Sequence, residues 1–308
     1  MNRLKAWLNA ARLRTLPLSV SGIVVGATLA SYFGHSNQLI FWLAILTTIG
    51  FQVTSNLAND YGDGIKGTDN ENRIGPKRAL QSGLLTKDSL KKGILISIII
   101  DLSLVLALLY VSFSTNEIIW GLLFLLLGVL SLWAAVRYTV GENAYGYHGL
   151  GDVFVFLFFG LLAVIGSMFL FVKTVFWVSL LPAITVGLLS VAVLNLNNLR
   201  DHASDRNSGK NTMIVKMGFK KGKIYHFAIL LLAFISWSFF VMVTATEWKH
   251  WLSFLAFVPI VVHLVKVWRN ESPALMDPEL KKVSLSTFFM ALLFYFSYYN
   301  FFIHKILT

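Results

Sequence analysis

Cysteine is absent from all 308 residues, which excludes disulfide scaffolds, iron–sulfur clusters, thiolate zinc sites and cysteine nucleophiles together. Charge is scarce as well. Asp, Glu, Lys and Arg make up 13% of the chain, against roughly 25% in soluble domains. Acids are the scarcer sign, 15 against 26 basic residues, and only six prolines interrupt the chain. The seven histidines are scattered and no His-Glu-x-x-His occurs, so a histidine zinc site of that type is excluded too. What remains is apolar: 56% hydrophobic residues and a mean hydropathy of +0.69. This composition rules out disorder and argues against a water-soluble globule.

The apolar residues gather into nine runs long enough to cross a hydrocarbon core of about 20 residues. The expected spans are Leu16–Phe33, Leu39–Ala58, Ile94–Phe113, Ile118–Val136, Phe154–Val172, Phe176–Leu194, His226–Thr246, Trp251–Val267 and Ser284–Ile303. Lipid satisfies no free backbone group, and the alternation of a barrel strand is missing, so the runs are read as helices. The fold class is all-α, a polytopic membrane bundle of about nine transmembrane helices forming a single domain over residues 1–308. Thr28-Leu29-Ala30 could pass for a signal-peptidase site, but cleavage there would discard a span, and it is not read as one.

Of the 26 lysines and arginines, 23 fall in one set of alternate segments, and only Lys173, Lys249 and Lys305 in the other. Basic residues are retained on the cytoplasmic side, which predicts an N-terminus inside and a C-terminus outside. The net charge of +11 is thereby a topology and anionic-lipid signal, and nucleic acid is not an expected partner.

Two inside segments are long and polar, about 59–92 and 195–223, and hold seven of the fifteen acids. Long loops on one face are candidates for function. The first begins Asn56-Leu-Ala-Asn59-Asp60-Tyr61-Gly62-Asp63. If the helix continues, Asn56, Asp60 and Asp63 share a face at i, i+4 and i+7. The second reads Asn197-Asn198-Leu-Arg200-Asp201-His-Ala-Ser-Asp205, with Asn197, Asp201 and Asp205 at i, i+4 and i+8. Lys66-Gly67-Thr68 follows one and Gly209-Lys210-Asn211-Thr212 the other, a weak internal repeat offset by about 141 residues.

Two carboxylate sets with hard oxygen donors suit Mg²⁺, which binds through a few carboxylates together with substrate phosphate oxygens. Arg73, Lys77, Arg78, Arg200 and Lys210 are placed to neutralise the remaining phosphate charge, and a diphosphate leaving group follows. Helix caps and a solvated loop are the plainer reading of either motif alone. The same residue types leave open a transporter that holds ions on intramembrane Asn and Asp, although the acids sit at span ends and Pro182 and Pro259 form no matched pair.

At these residues the chain resembles the UbiA superfamily of intramembrane prenyltransferases, whose motifs run Asn-Asp-x-x-Asp-x-x-x-Asp and Asp-x-x-x-Asp. Longer strings resemble the branch that prenylates 1,4-dihydroxy-2-naphthoate in menaquinone synthesis: Asn56 to Asp69, Arg73 to Gly83, Tyr138-Thr-Val-Gly141, Tyr145 to Asp152, and Asn195 to Asp201 with Asp205 and Gly-Lys-Asn-Thr212. The resemblance implies a UbiA-type fold in a bacterial cytoplasmic (inner) membrane with the active site on the cytoplasmic face. It implies Mg²⁺ held by Asp60, Asp63, Asp201 and Asp205, and diphosphate held by Asn56, Asn59, Lys66, Arg78, Asn197, Arg200 and Lys210. The substrates it implies are a polyprenyl diphosphate and 1,4-dihydroxy-2-naphthoate, with 4-hydroxybenzoate or a haem vinyl group as alternative acceptors. No obligate protein partner is inferred. In one place the chain departs from the pattern: Gly67 occupies the last aspartate position of the first motif, with Asp69 the nearest acid.

Tyr61, Tyr138 and Tyr145 are candidates to face an allylic cation, or else interfacial aromatics. Asp152 holds the acceptor or caps a helix. Arg137 meets the acceptor carboxylate or anchors the topology. Asp101, inside the third span, faces the bundle interior or is neutralised by protonation.

Overall fold

The computed structural model describes residues 3–69, 71 and 74–299, with the side chain of Arg3 excepted; Arg73, Lys305 and the end of the ninth expected span lie outside them. Among the described residues nine helices are long and apolar enough to cross a membrane, and no strand occurs. They are α1 (Leu4–Tyr32), α2 (Gln38–Ile65), α3 (Lys87–Ser112), α4 (Thr115–Arg137), α5 (Gly151–Val172), α6 (Trp177–Asn207), α7 (Phe219–Thr244), α8 (Trp248–Arg269) and α9 (Pro273–Tyr298). Local signals set their starts: Asn37 caps α2 by accepting from the Leu39 and Ile40 amides, and Thr86 caps α3 by accepting from Ser89.

Each expected span lies mostly within one of these helices, with ends that differ by a few residues, but α2 and α6 run further than their apolar stretches. Segments 59–92 and 195–223, expected as polar loops, begin as helix: both motifs lie on the last three turns of α2 and α6. The expected boundary came from where polarity begins. The backbone ladder continues past it because Asp60, Asp63, Asp201 and Asp205 are buried against neighbouring elements and need rigid support.

Helix α6 is the central post. Leu189, Leu196 and Leu199 are fully buried, and α5, α7 and α9 pack around it. In lipid, such packing relies on close backbone approach rather than expulsion of water, and Gly160 of α5 accordingly meets Gly187 of α6 directly. Helices α3 and α4 cover the far side and leave Leu95, Ile96 and Ile119 facing outward. Within α5, Phe156–Gly166 winds as a π-helix. Residues 154, 158, 162, 166 and 170 line one wall at every fourth position.

Helix α1 is interrupted at Arg12, a non-glycine residue in the left-handed region at φ 50°. The preceding stretch, Arg3–Ala11, lies against α2 and α3 through Ala6 and Ala10, which pack with Leu57, Ala58 and Leu90. The Asn56 amide donates to the Ala11 carbonyl at 2.8 Å and to Thr15 Oγ1 at 3.1 Å, tying both sides of the break to α2. Asp101 faces the interior, accepting from Thr54 Oγ1 at 2.6 Å, which settles its orientation in favour of the bundle.

A buried chain fastens α7, α8 and α9. The Glu279 carboxylate meets Lys282 and lies 2.8 Å from His263 Nδ1, whose Nε2 lies 2.8 Å from His226 Nε2. Beside a carboxylate, Nδ1 of His263 carries the proton, so its Nε2 accepts and His226 donates. His226 Nδ1 is then a bare acceptor, in keeping with its burial without a hydrogen bond.

Candidate active site

The two motif helices end in the same way. Gly67 and Gly209 adopt φ +74° and +73°, a conformation that favours glycine, two residues beyond the last helical residue. The next amide folds back: Thr68 N–H donates to the Asp63 carbonyl at 3.0 Å and Lys210 N–H to the Asp205 carbonyl at 2.8 Å. The repeat seen weakly in sequence is thus a repeated turn that presents Asp63 and Asp205 equivalently. The same turn explains the departure at Gly67, where an aspartate would be strained by its positive φ. Asp69 is drawn elsewhere, its carboxylate 3.8 Å from Arg78 Nε.

Lys210 joins the motifs. Its Nζ is 3.6 Å from Asp63 Oδ2, and it is almost fully buried. Burial would lower the ammonium pKa, but Asp63 and Asp205 outweigh that effect and hold it above the ordinary lysine value. Tyr147 completes this corner, donating to Asp63 Oδ1 at 2.8 Å, with Thr68 Oγ1 2.5 Å from its hydroxyl. Lys66 sits over the Tyr147 ring, 4.0 Å from the centroid. Its pKa is lowered by burial, with Asp63 opposing and Lys210 and Arg137 adding to the shift. Gly62 lets the segment after α4 come this close, because a Cβ there would sit 2.5 Å from Thr139 Oγ1. Thr139 uses the gap to donate to the Ala58 carbonyl at 3.0 Å and to Asn59 Oδ1 at 3.3 Å.

The other two aspartates are held by arginines. Asp60, 1% exposed, accepts from Arg12 Nη2 at 2.9 Å and from the Ala79 amide at 3.0 Å, with Arg78 Nε at 3.7 Å. Asp201 takes a fork from Arg200, Nε at 2.8 Å and Nη2 at 2.6 Å, while Arg200 also donates to Asn197 Oδ1 at 2.7 Å and to Asp277. Among the described residues no three acid or histidine side chains form a ready cage for a metal ion. The donor set nevertheless fits a hard cation: four buried carboxylates, two on each motif, whose charge is now balanced by Arg12, Arg78, Arg200 and Lys210, which a cation can replace.

Beside this charged mouth, a cavity of about 360 Å³ runs along α2 from Asn59 to Ala44, walled by α1, α3, α4 and α5. Its lining is mainly apolar. At 1.5 Å per residue the α2 wall is about 22 Å long, most of a hydrocarbon core. Tyr138, Tyr145 and Phe154 stand where it meets the mouth; Tyr145 stacks on Phe154 at 3.9 Å and meets Tyr138 edge-on at 5.4 Å. Burial pushes the Tyr138 phenol up to about 12 and raises Tyr145 and Tyr147 too, so all three stay protonated at neutral pH.

Of the residues expected from sequence, Asp63, Lys66, Asp205 and Lys210 come together, while Asp60 with Arg78 and Asp201 with Asn197 and Arg200 form flanking ion pairs. Tyr138 and Tyr145 reach the cavity. Tyr61 does not: it packs in the cluster of Ala6, Leu57 and Leu90 beneath the N-terminal helix, because that face of α2 is turned away from Asn59. Asn56 is committed to α1, and Asp152 accepts from Tyr225 at 2.8 Å, joining α5 to α7. Sequence reasoning missed Arg12, Thr68, Tyr147 and Asp277 as site neighbours. Tyr147 lies inside the string Tyr145 to Asp152, but Arg12 and Asp277 carry no local signal, being brought in by α1 and α9.

Residues 19–293 match the model of the UbiA prenyltransferase family. The chain is 41% identical over 294 residues to the 1,4-dihydroxy-2-naphthoate octaprenyltransferase of Escherichia coli (strain K12), covering 96% of this chain and 95% of that one. It is 39% identical to the enzyme of the same name from Haemophilus influenzae, covering 95% of each. Among solved structures, a digeranylgeranylglyceryl phosphate synthase aligns with a TM-score of 0.61 at 19% identity, over 96% of this chain and 99% of that one. A UbiA homolog from Archaeoglobus fulgidus bound to DMAPP and Mg2+ aligns with a TM-score of 0.60 at 13% identity, over 94% and 99%. With its helical bundle, its paired motifs and a match over nearly its whole length, the chain belongs to the UbiA prenyltransferase family.

Proposed function

We propose that the protein transfers a polyprenyl group from polyprenyl diphosphate to 1,4-dihydroxy-2-naphthoate, releasing CO₂ and diphosphate and forming demethylmenaquinol, the reduced form of demethylmenaquinone, at the cytoplasmic face of a bacterial inner membrane. The observation that carries the transferase reading is the meeting of Asp63 and Asp205 across Lys210 at the mouth of a long apolar cavity. The acceptor rests on the two relatives of about 40% identity, which carry that substrate in their names.

Asp60, Asp63, Asp201 and Asp205 are the residues to hold Mg²⁺, which when bound supplies Lewis-acid stabilisation of charge on the departing diphosphate. Asp69, beside Arg78, is a reserve rather than a fifth ligand. Lys210, Lys66, Arg78 and Arg200 balance the diphosphate charge, and Asn59 lies at the boundary between mouth and cavity. The prenyl tail lies along the α2 wall, so its reactive carbon sits near Tyr138, Tyr145 and Phe154. Their rings face the allylic cation and keep water from quenching it. The naphthoate ring carbon that bears the carboxylate takes the prenyl group. The carboxylate electrons return to the ring as CO₂ leaves, so no external base is required.

Membranes containing the protein, incubated with Mg²⁺, 1,4-dihydroxy-2-naphthoate and octaprenyl diphosphate, are expected to yield diphosphate and demethylmenaquinol, which is read as demethylmenaquinone after oxidation by air. Turnover with 4-hydroxybenzoate but not with the naphthoate would reassign the acceptor and leave the prenyl transfer standing.

A further inference from the structure

Arg200 is only 2% exposed and always charged, so it needs a carboxylate at all times. In this structure it has two. Its Nε and Nη2 grip Asp201, and its Nη1 reaches Asp277 of α9, where the α-helical part begins after the 3-10 turn Pro273–Met276. If Asp201 were the sole carboxylate, turning it toward a divalent cation would strand a buried guanidinium, and that penalty would hold Asp201 in place. A second acid removes the conflict.

We propose that Asp277 is a positioning residue: it holds the Arg200 guanidinium so that Asp201 is free to exchange its arginine for the divalent cation. The inference rests on the metal role proposed for Asp201. Its geometry is favourable in two further respects. The Asp277 side chain is 38% exposed, so it stays hydrated while it serves a buried partner. It is also fixed in place: Met276, fully buried, precedes it, and Glu279 in the same turn is committed to His263 and Lys282. The turn that starts at Asp277 thus faces α6 with one acid and α8 with the other. Asn197, accepting from Nη2, orients the guanidinium but supplies no charge.

The test uses the full-length protein in detergent, with Mn²⁺ as the probe in the presence of inorganic pyrophosphate. Bound Mn²⁺ is read by electron paramagnetic resonance and the unfolding temperature is measured in parallel. Asp277→Asn is expected to raise the Mn²⁺ dissociation constant about tenfold, the scale of losses on removing a group that orients a metal ligand. Asp277→Glu should restore it. In an Asp201→Asn background the further change Asp277→Asn should have no effect on Mn²⁺ binding, because no carboxylate remains to be released. Asp277→Ser gives the same comparison with a smaller side chain. Unchanged Mn²⁺ affinity in Asp277→Asn and Asp277→Ser, with or without a lower unfolding temperature, overturns the proposal while the metal reading stands. Absence of Mn²⁺ binding by the unaltered protein overturns both.

Discussion

Asp60→Asn and Asp201→Asn are each expected to lower turnover by about 10²–10³-fold, the range for removing one group aimed at charge developing in the transition state. Asparagine keeps the shape and an acceptor oxygen. In Asp60→Asn the Ala79 amide still has a partner, and in Asp201→Asn the Arg200 guanidinium keeps Asp277. Both variants should therefore fold and insert, and the loss should appear in kcat at saturating prenyl diphosphate. Rates of prenyl transfer in membranes, normalised to the amount of inserted protein, are the measurement. Near-normal rates in either variant would remove that aspartate from the machinery.

Lys210→Met is expected to raise KM for the prenyl diphosphate by about 10–100-fold, the worth of one charge-assisted hydrogen bond to a phosphate oxygen. It should also reveal the electrostatics of the mouth. Without the ammonium, Asp63 and Asp205 lose the cation they share, and breaking a buried charge pair destabilises by about 3–5 kcal/mol. That loss should shrink when Mg²⁺ is added, since the metal replaces the ammonium between the two carboxylates. Unfolding temperatures of the variant with and without Mg²⁺ check this, with the unaltered protein showing the smaller gain. Equal gains in the two proteins would mean that the cation does not bind where Lys210 now lies.

How far these residues were legible from sequence depends on whether their partners are near in the chain. The apolar runs locate each of the nine long apolar helices among the described residues because a span is a local property of about 20 residues. Asp60, Asp63, Asp201 and Asp205 stand out because acids are few and the two motifs share a spacing. Where the helices stop was less legible: polarity marked 59 and 195 as loop, whereas Gly67 and Gly209 are what turn the chain. An aspartate buried against an arginine continues a helix as well as a leucine does, and hydropathy does not record the arginine. The least legible features are those made by helices meeting far apart in sequence. Arg12 reaches Asp60 because α1 breaks at a left-handed residue, and Asp277 reaches Arg200 because α9 packs on α6. Tyr61 shows the converse, since a tyrosine beside Asp60 in sequence turns away from the cavity and packs under Ala6 and Leu90.

The account stands on the two acidic motifs acting as one grip on a metal-bound diphosphate, and calorimetry of inorganic pyrophosphate binding tests that directly. With Mg²⁺ present, the purified protein should bind pyrophosphate with measurable heat at one site, and with the cation chelated that heat should disappear. Equal binding with and without divalent cation would contradict the account, showing that Lys210, Arg78 and Arg200 hold the anion while the four aspartates do no more than neutralise them.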